Sequence, residues 1–155
     1  MGLLISVAVM AAASKIALGR LDQDLQISRF ETYPGSGLHV IKIQSRGTRP
    51  ALASAIIMHG WRCNKSQMIR MGKHLARQGI TAYSMDLPGH GEASFLCSRD
   101  WPVDRALLPC LPAVRRSIQE LMARERLKRE RVALIGWSQG SAYTVSIMQE
   151  DPSYL

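Results

Sequence analysis

The segment Gly-Trp-Ser-Gln-Gly at 136–140 constrains the fold of this chain most, because it joins an apolar run directly to a helical pattern. The run Val132–Gly136 predicts a buried strand, and Gly140–Glu150 predicts a helix that ends before Pro152. Glycines at both ends let the chain reverse sharply, because a β-carbon at either position would clash within the turn. Such a turn strains Ser138 and places its hydroxyl beside the free N–H groups of the helix N-terminus. The alternative is a glycine-containing turn with an incidental serine.

The rest of the chain alternates predicted strands and helices. Ile27–Tyr33 and Leu38–Gln44 flank a Pro-Gly-Ser-Gly sequence, which predicts a hairpin. Asn64, with Gln67 three residues later, predicts a capping box at the start of a helix. Further strands are predicted at Ser54–Met58, Ile80–Asp86 and Val132–Gly136, and helices at Asn64–Gln78, Pro112–Lys128 and Gly140–Glu150. This order predicts the α/β class, with a mostly parallel sheet and flanking helices on both faces.

A second motif, His59-Gly60-Trp61, directly follows the predicted strand that ends at position 58. Gly60 allows a tight turn there, so that the backbone N–H of Trp61 points at the same space as the N–H of Gln139. Two such donors would stabilise the oxyanion that forms when Ser138 attacks a carbonyl group. The alternative is that His59 simply caps the strand.

A third motif, Asp-Leu-Pro-Gly-His-Gly-Glu-Ala at 86–93, follows the next strand. Its proline and the glycines Gly89 and Gly91 fix a loop at the carboxyl edge of the sheet, where open α/β sheets bind their ligands. Asp86 and His90 suggest the acid and base of a catalytic triad. We favour a structural role for both, as parts of a rigid loop beside the pocket.

These three motifs, in this order, resemble the α/β-hydrolase superfamily over residues 26–152. In that family, the counterpart of 59–61 follows the third strand, that of 86–93 follows the fourth, and the nucleophile elbow follows the fifth. Ala93 stands where serine is usual. The resemblance is to the lipase, esterase and serine-aminopeptidase branches. It implies a hydrolase of small-molecule or peptide esters, amides or thioesters that forms an acyl-enzyme on Ser138 and needs neither cofactor nor metal.

The chain departs from that family after the elbow. The family's acid and base follow the nucleophile, but the fifteen residues after Gly140 contain no histidine. Glu150 and Asp151 end the last predicted helix, about 15 Å from Ser138 at 1.5 Å per residue. We therefore expect residues 26–155 to be the N-terminal part of an incomplete α/β-hydrolase fold, inactive alone, with a missing C-terminal half as its partner. The alternative is a non-catalytic remnant or interaction piece that docks through its open sheet edge.

The first twenty residues form a separate apolar segment. Residues 3–13 carry no charge and have the length of a signal h-region, which is shorter than the roughly 20 residues that span a bilayer. The first cations, Lys15 and Arg20, follow this run instead of preceding it. Two interpretations therefore remain open. One is export or membrane attachment through residues 3–19, and the other is a packed N-terminal helix in a cytoplasmic protein.

Charge and cysteines limit the partners further. The net charge is +8, but only 6% of residues are aromatic, so stacking platforms are sparse and no nucleic-acid partner is predicted. The basic residues between 115 and 131 predict a solvated helix face, with a membrane-surface or nucleic-acid patch as the alternative. Cys63, Cys97 and Cys110 have no metal-ligand spacing. Three reduced thiols are favoured, whereas export would permit a Cys97–Cys110 bridge that leaves Cys63 free.

Overall fold

The computed structural model describes residues 22–31, 39–47, 50–93 and 103–151, with side chains from 109 onwards in the last range. The strands are β1 (Leu25–Glu31), β2 (His39–Ser45), β3 (Ala53–Met58), β4 (Ile80–Met85) and β5 (Val132–Gly136). The helices are α1 (Ile69–Arg77), α2 (Val103–Arg124) and α3 (Gln139–Glu150), and short 3-10 helices cover Lys65–Met68, Gly91–Ala93 and Arg129–Arg131. The apolar segment 1–20 lies outside the described residues. Within them, no helix combines the length and apolar character that a membrane crossing requires.

The five strands form one mixed sheet in the order β1-β2-β4-β3-β5. The predicted hairpin forms, with β1 antiparallel to β2, and β2 then pairs antiparallel with β4. The pairs β4–β3 and β3–β5 are parallel, and β1 runs in the same direction as these strands because β2 is antiparallel to both of its neighbours. Four of the five described strands therefore share one direction, and the predicted α/β class with a mostly parallel sheet is confirmed. Met58 pairs with both Met85 and Gly136, which aligns the carboxyl ends of the three parallel strands at one edge.

Alternate strand residues build two cores, one on each face of the sheet. Ile57 and Ala82 face α1, where they form a buried cluster with Ala76. Ile56 and its neighbours on the other face pack against α2 and α3, and burial there raises the pKa of Tyr143 to about 12. The second core includes Val40, Met58, Met85, Val114, Ile118, Leu121 and Ile147. The sheet is thus covered on both sides, as predicted.

The start of the first helical segment follows the sequence closely. The Asn64 side chain accepts from the N–H of Ser66 at 2.9 Å, and the Gln67 side chain accepts from the N–H of Asn64 at 3.0 Å. The predicted capping box is therefore confirmed, although the first turn is a 3-10 helix that continues into α1. Gly79 ends the segment with a φ of +80°, the left-handed conformation expected there.

Helix α2 differs from its predicted bounds of Pro112–Lys128. It begins at Val103 and passes through Pro109 and Pro112. The predicted start at Pro112 follows from the preference of proline for the first turn of a helix, because proline lacks the N–H that helix interiors need. The packing of Cys110, Leu111 and Val114 in the core offsets the missing bonds. The helix ends at Arg124 because Arg126 adopts a φ of +52° and the N–H of Leu127 bonds to the carbonyl of Met122 at 2.8 Å.

The cysteines correct one expectation. Cys110 is buried in α2 and is disulfide-bonded, whereas Cys63 carries a free thiol. The favoured interpretation of three reduced thiols is therefore wrong for Cys110, because sequence spacing does not reveal which thiols approach one another. Cys97, the other half of the alternative bridge, lies outside the described residues.

Candidate active site

Ser138 lies in the sharp turn between β5 and α3. Its backbone has φ 51° and ψ −115°, which is a conformation that non-glycine residues rarely adopt. The N–H of Trp137 donates to the carbonyl of Met58 at 3.0 Å, which fixes the turn to the end of β3. The Ser138 side chain remains exposed at the carboxyl edge of the sheet.

The two glycines of the elbow allow the backbones to approach closely. A β-carbon on Gly136 would lie 2.4 Å from the backbone of Gly140. A β-carbon on Gly140 would lie 2.2 Å from the carbonyl oxygen of Met58. Neither contact is sterically allowed, so the turn requires glycine at both positions, for the reason anticipated from the sequence.

The loop after β3 packs directly against the elbow. A β-carbon on Gly60 would lie 3.2 Å from Cβ of Ser138 and 2.9 Å from Cδ1 of Trp137. Trp61 follows Gly60 and Gln139 follows Ser138, so both backbone N–H groups belong to this contact region. Neither N–H donates a hydrogen bond to any residue in the described parts of the chain. Two free backbone donors are therefore available near Ser138.

His59 is fully buried between the loops that follow β3 and β4. Its Nδ1–H donates to the carbonyl of Gly60 at 2.8 Å, and its Nε2 accepts from the N–H of Leu87 at 3.0 Å. Burial lowers the pKa of His59 to about 4, so the ring is neutral at pH 7. Because both nitrogens are occupied, His59 joins the two loops and has no lone pair left for a proton from Ser138.

Asp86 is a fully buried carboxylate that organises the loop 86–93. It accepts from the N–H of Lys65 at 2.8 Å, from Nζ of Lys65 at 2.5 Å and from the N–H of Glu92 at 3.0 Å. Gly91 has a φ of +54°, and a β-carbon there would lie 2.4 Å from the carboxyl group of Asp86. Asp86 therefore holds the loop and makes no contact with Ser138 through these bonds, in keeping with the structural role favoured above.

Lys65 is the residue of this site that the sequence analysis missed. It is buried, and its ammonium group contacts the carboxylates of both Asp86 and Glu92. This contact holds the pKa of Glu92 below its usual value. Lysine is among the residues least often buried, so no sequence pattern distinguished it from a solvated cation. The only sequence feature that could have drawn attention to Lys65 was its position directly after the helix cap Asn64.

His90 packs against the loop 59–61 that follows β3. Its Nδ1–H donates to the carbonyl of Pro88 at 3.0 Å, and Gly89 permits the turn with a φ of +80°. The His90 ring contacts His59 and Trp61 edge-on, with centroid distances of 5.2 and 5.3 Å. Nε2 of His90 is buried and has no hydrogen-bond partner among the described residues, and the same holds for Oε1 of Gln139.

The described residues thus bring the three motifs together at one edge of the sheet. Ser138 is exposed there, Trp61 is half-buried and Gln139 is buried. The loops that contain His59, Asp86 and His90 support this edge. Across the described ranges, no group of three His, Cys, Asp or Glu residues is placed to hold a metal ion. The arrangement places an exposed serine hydroxyl near unbonded backbone N–H groups, and neither His59 nor His90 is hydrogen-bonded to Ser138.

Comparisons with known proteins agree with this geometry. A profile of the alpha/beta hydrolase fold matches residues 56–153. A Thermus thermophilus protein is 22% identical with a TM-score of 0.60, over 81% of this chain and 52% of its own. A cold-adapted esterase from an Arctic intertidal metagenomic library is 19% identical with a TM-score of 0.65, over 84% of this chain and 58% of its own.

A dienelactone hydrolase-like promiscuous phosphotriesterase from metagenomic libraries is 15% identical with a TM-score of 0.65, covering 82% of this chain and 55% of its own. The search of curated proteins found no match. At these identities the structural neighbours show the fold alone. The chain spans between half and three fifths of the length of these three neighbours.

Proposed function

The chain belongs to the α/β-hydrolase fold family, and from this premise we propose that the complete protein is a serine hydrolase with Ser138 as its nucleophile. It acts on an ester, amide or thioester of a small molecule or peptide through an acyl-enzyme. The observation that carries the proposal is the pair of unbonded N–H groups, of Trp61 and Gln139, beside a strained and exposed Ser138. Strain of this kind persists only where the surrounding structure enforces it.

The chemistry follows from these groups. Oγ of Ser138 attacks the carbonyl carbon of the substrate, and the oxyanion accepts hydrogen bonds from the two N–H groups. Collapse of the tetrahedral intermediate expels the alcohol, amine or thiol and leaves the acyl group on Oγ, from which water removes it. Losing one oxyanion donor typically costs about 10²–10³ in rate.

The missing part of this mechanism is a base. Serine needs a proton acceptor within about 2.6–3.2 Å of its hydroxyl. Both ring nitrogens of the neutral His59 are hydrogen-bonded, and the unbonded Nε2 of His90 is buried and makes no hydrogen bond to Ser138. We therefore propose that the acid and base come from a part of the protein beyond these 155 residues, and that the 155-residue chain alone does not turn over esters.

The nucleophile is tested with a fluorophosphonate probe on the complete protein. Labelling is expected at Ser138, to be lost in Ser138→Ala and kept in Ser141→Ala, which removes a second exposed hydroxyl one turn along the same helix. Labelling that survives Ser138→Ala contradicts the assignment. The 155-residue chain is tested by p-nitrophenyl acetate hydrolysis against Ser138→Ala and buffer. Turnover above both, on monomeric protein, would show that a base is present in the chain.

A second candidate function is a non-catalytic interaction piece. It is supported by β5, which pairs only with β3 in the described sheet and leaves its other edge unpaired. Trp137, in the turn after β5, is 62% exposed, and Val145, in the helix that follows, is 54% exposed. If this candidate is right, the protein self-associates or binds a partner, and Ala133→Lys on the exposed edge weakens that association. The fluorophosphonate probe then labels no serine of the parent protein.

A further inference from the structure

A cluster of cations surrounds a small cavity at the edge of the sheet opposite to Ser138. Ser54 pairs with Val132, so the starts of β3 and β5 lie side by side at this edge. The cavity has a volume of about 180 Å³, and its lining includes Arg126, Lys128 and Arg131. Ser138 lies beyond the other end of β5, so this cluster is separate from the candidate active site.

These three cations are available for a ligand. All three are exposed, and none forms an ion pair with a carboxylate in the described ranges. No acidic residue lines the cavity. By contrast, Arg129 in the same segment contacts the carboxylate of Asp151. The neighbouring acid Glu130 is exposed but does not line the cavity.

An apolar turn lies directly beside the cations. Pro50, Ala51 and Leu52 are consecutive and exposed, and Leu52 is 71% exposed. Leu52 lines the cation cavity and also an adjoining cavity of about 440 Å³ that includes Pro50 and Ala76. The exposed surface therefore combines an apolar protrusion with fixed positive charge.

We propose that this rear surface, made of Leu52, Arg126, Lys128 and Arg131, docks on an anionic membrane surface. The cations match the charge of acidic headgroups, and Leu52 and its neighbours enter the boundary between headgroups and acyl chains. A nucleic acid would satisfy the cations but would leave Leu52 in water, and the turn offers no aromatic side chain for base stacking. In the docked state the Ser138 edge faces away from the bilayer.

The test is co-sedimentation of the 155-residue chain with vesicles of phosphatidylserine mixed with phosphatidylcholine, and with vesicles of phosphatidylcholine alone. The apolar segment at the N-terminus is the same in every variant, so it does not affect the comparison. Circular dichroism checks that each variant is folded. The rear variant carries Arg126→Ala, Lys128→Ala and Arg131→Ala, and the matched control carries Arg29→Ala, Arg70→Ala and Arg116→Ala, which are exposed cations with the same total charge.

Each cation near an anionic surface contributes about fivefold in partitioning, so the rear variant is expected to bind mixed vesicles about 100-fold more weakly than the parent. The control variant should change binding by less than about tenfold, because it alters only net charge. Leu52→Ser should weaken binding as well, and raised salt should abolish it. A duplex oligonucleotide is tested in parallel by a mobility-shift assay. Equal losses in the two triple variants, no binding of the parent chain to mixed vesicles, or a loss by the rear variant that is seen with the oligonucleotide and not with the vesicles would each overturn the proposal.

Discussion

The two sides of the candidate active site are built differently. On the β3–β4 side, His59, Asp86 and Lys65 are buried, and every one of them bonds to a neighbouring loop. On the β5–α3 side, Trp137 and Val145 are exposed, and among the described strands β5 has a partner on one edge only. The difference shows that residues of this chain hold the loops after β3 and β4 in place, whereas the strand that leads into Ser138 has a described neighbour on one side only.

The contrast has a physical basis. A buried charge is tolerated only when it is paired and hydrogen-bonded, so the Lys65–Asp86 pair fixes the loops that contain it. An exposed strand edge needs no protein partner of this kind, because water forms hydrogen bonds with its N–H and C=O groups. The elbow therefore derives its geometry from the close contact of Gly60, Gly136 and Gly140 with the end of β3 and with one another.

The largest effect is expected from Asp86→Ala on the β3–β4 side. It leaves the buried Lys65 ammonium with only the partly exposed carboxylate of Glu92 as a partner. We expect the free energy of unfolding to fall by about 3–5 kcal/mol, measured by urea denaturation. The matched control is Asp24→Ala, whose carboxylate pairs with Arg77 at the surface and should cost at most about 1 kcal/mol. Similar losses in both variants would mean that the buried Lys65–Asp86 pair stabilises the fold no more than the surface pair of Asp24 and Arg77 does.

Gly140→Ala tests the contact that joins the two sides. The new methyl group would meet the carbonyl oxygen of Met58, so the first turn of α3 must shift. We expect a loss of about 3 kcal/mol in unfolding free energy, the upper end of the usual cost of overpacking. Gly47→Ala is the control, because its β-carbon has ordinary clearance at 3.4 Å from Ser45. If Gly140→Ala is neutral, the elbow is mobile and the comparison must be revised.

The pH dependence of stability reports on His59. Its pKa is lowered to about 4 in the folded chain, so the unfolded chain binds the extra proton first as the pH falls below about 6.5. Stability is therefore lost on acidification, by about 2 kcal/mol between pH 7 and 5. The lowered pKa values of Asp22 and Glu92 place their titration below this window.

Urea denaturation at both pH values measures the slope, and His59→Asn should remove most of it. An NMR titration gives an independent check, since the His59 imidazole should keep its neutral chemical shifts down to about pH 5. A His59 ring that titrates near pH 6.5 would show that the loop opens to water.

Much of the fold was readable from the sequence because local and tertiary demands coincide. The strand Val132–Gly136 has the bounds predicted for it, since its apolar run ends at a glycine that the turn requires. The Asn64 capping box was equally clear. The start of α2 was not, because the core contacts that offset Pro109 and Pro112 come from residues distant in the chain.

The location of the candidate site, like the fold, was predictable from the sequence. Motif order placed His59, Asp86 and Ser138 at one sheet edge, because parallel strands end together. The partners of these residues were not predictable. Burial of Lys65 depends on two carboxylates more than twenty residues away in the chain, and the pairing of Cys110 depends on a similar approach in space.

The smallest effect is expected from Val145→Ala on the β5–α3 side, and it tests whether that side is uncovered. Val145 is 54% exposed on α3, so truncation removes little packing, and alanine favours the helix. We expect the unfolding free energy to change by less than about 0.5 kcal/mol. Ile147→Ala, two residues further along the same helix but buried in the core, should cost about 2–5 kcal/mol in the same denaturation experiment. A Val145→Ala cost close to that of Ile147→Ala would mean that this face is covered in solution, and the contrast between the two sides would fail. A difference of the expected size would leave the β5–α3 face free to receive a partner segment.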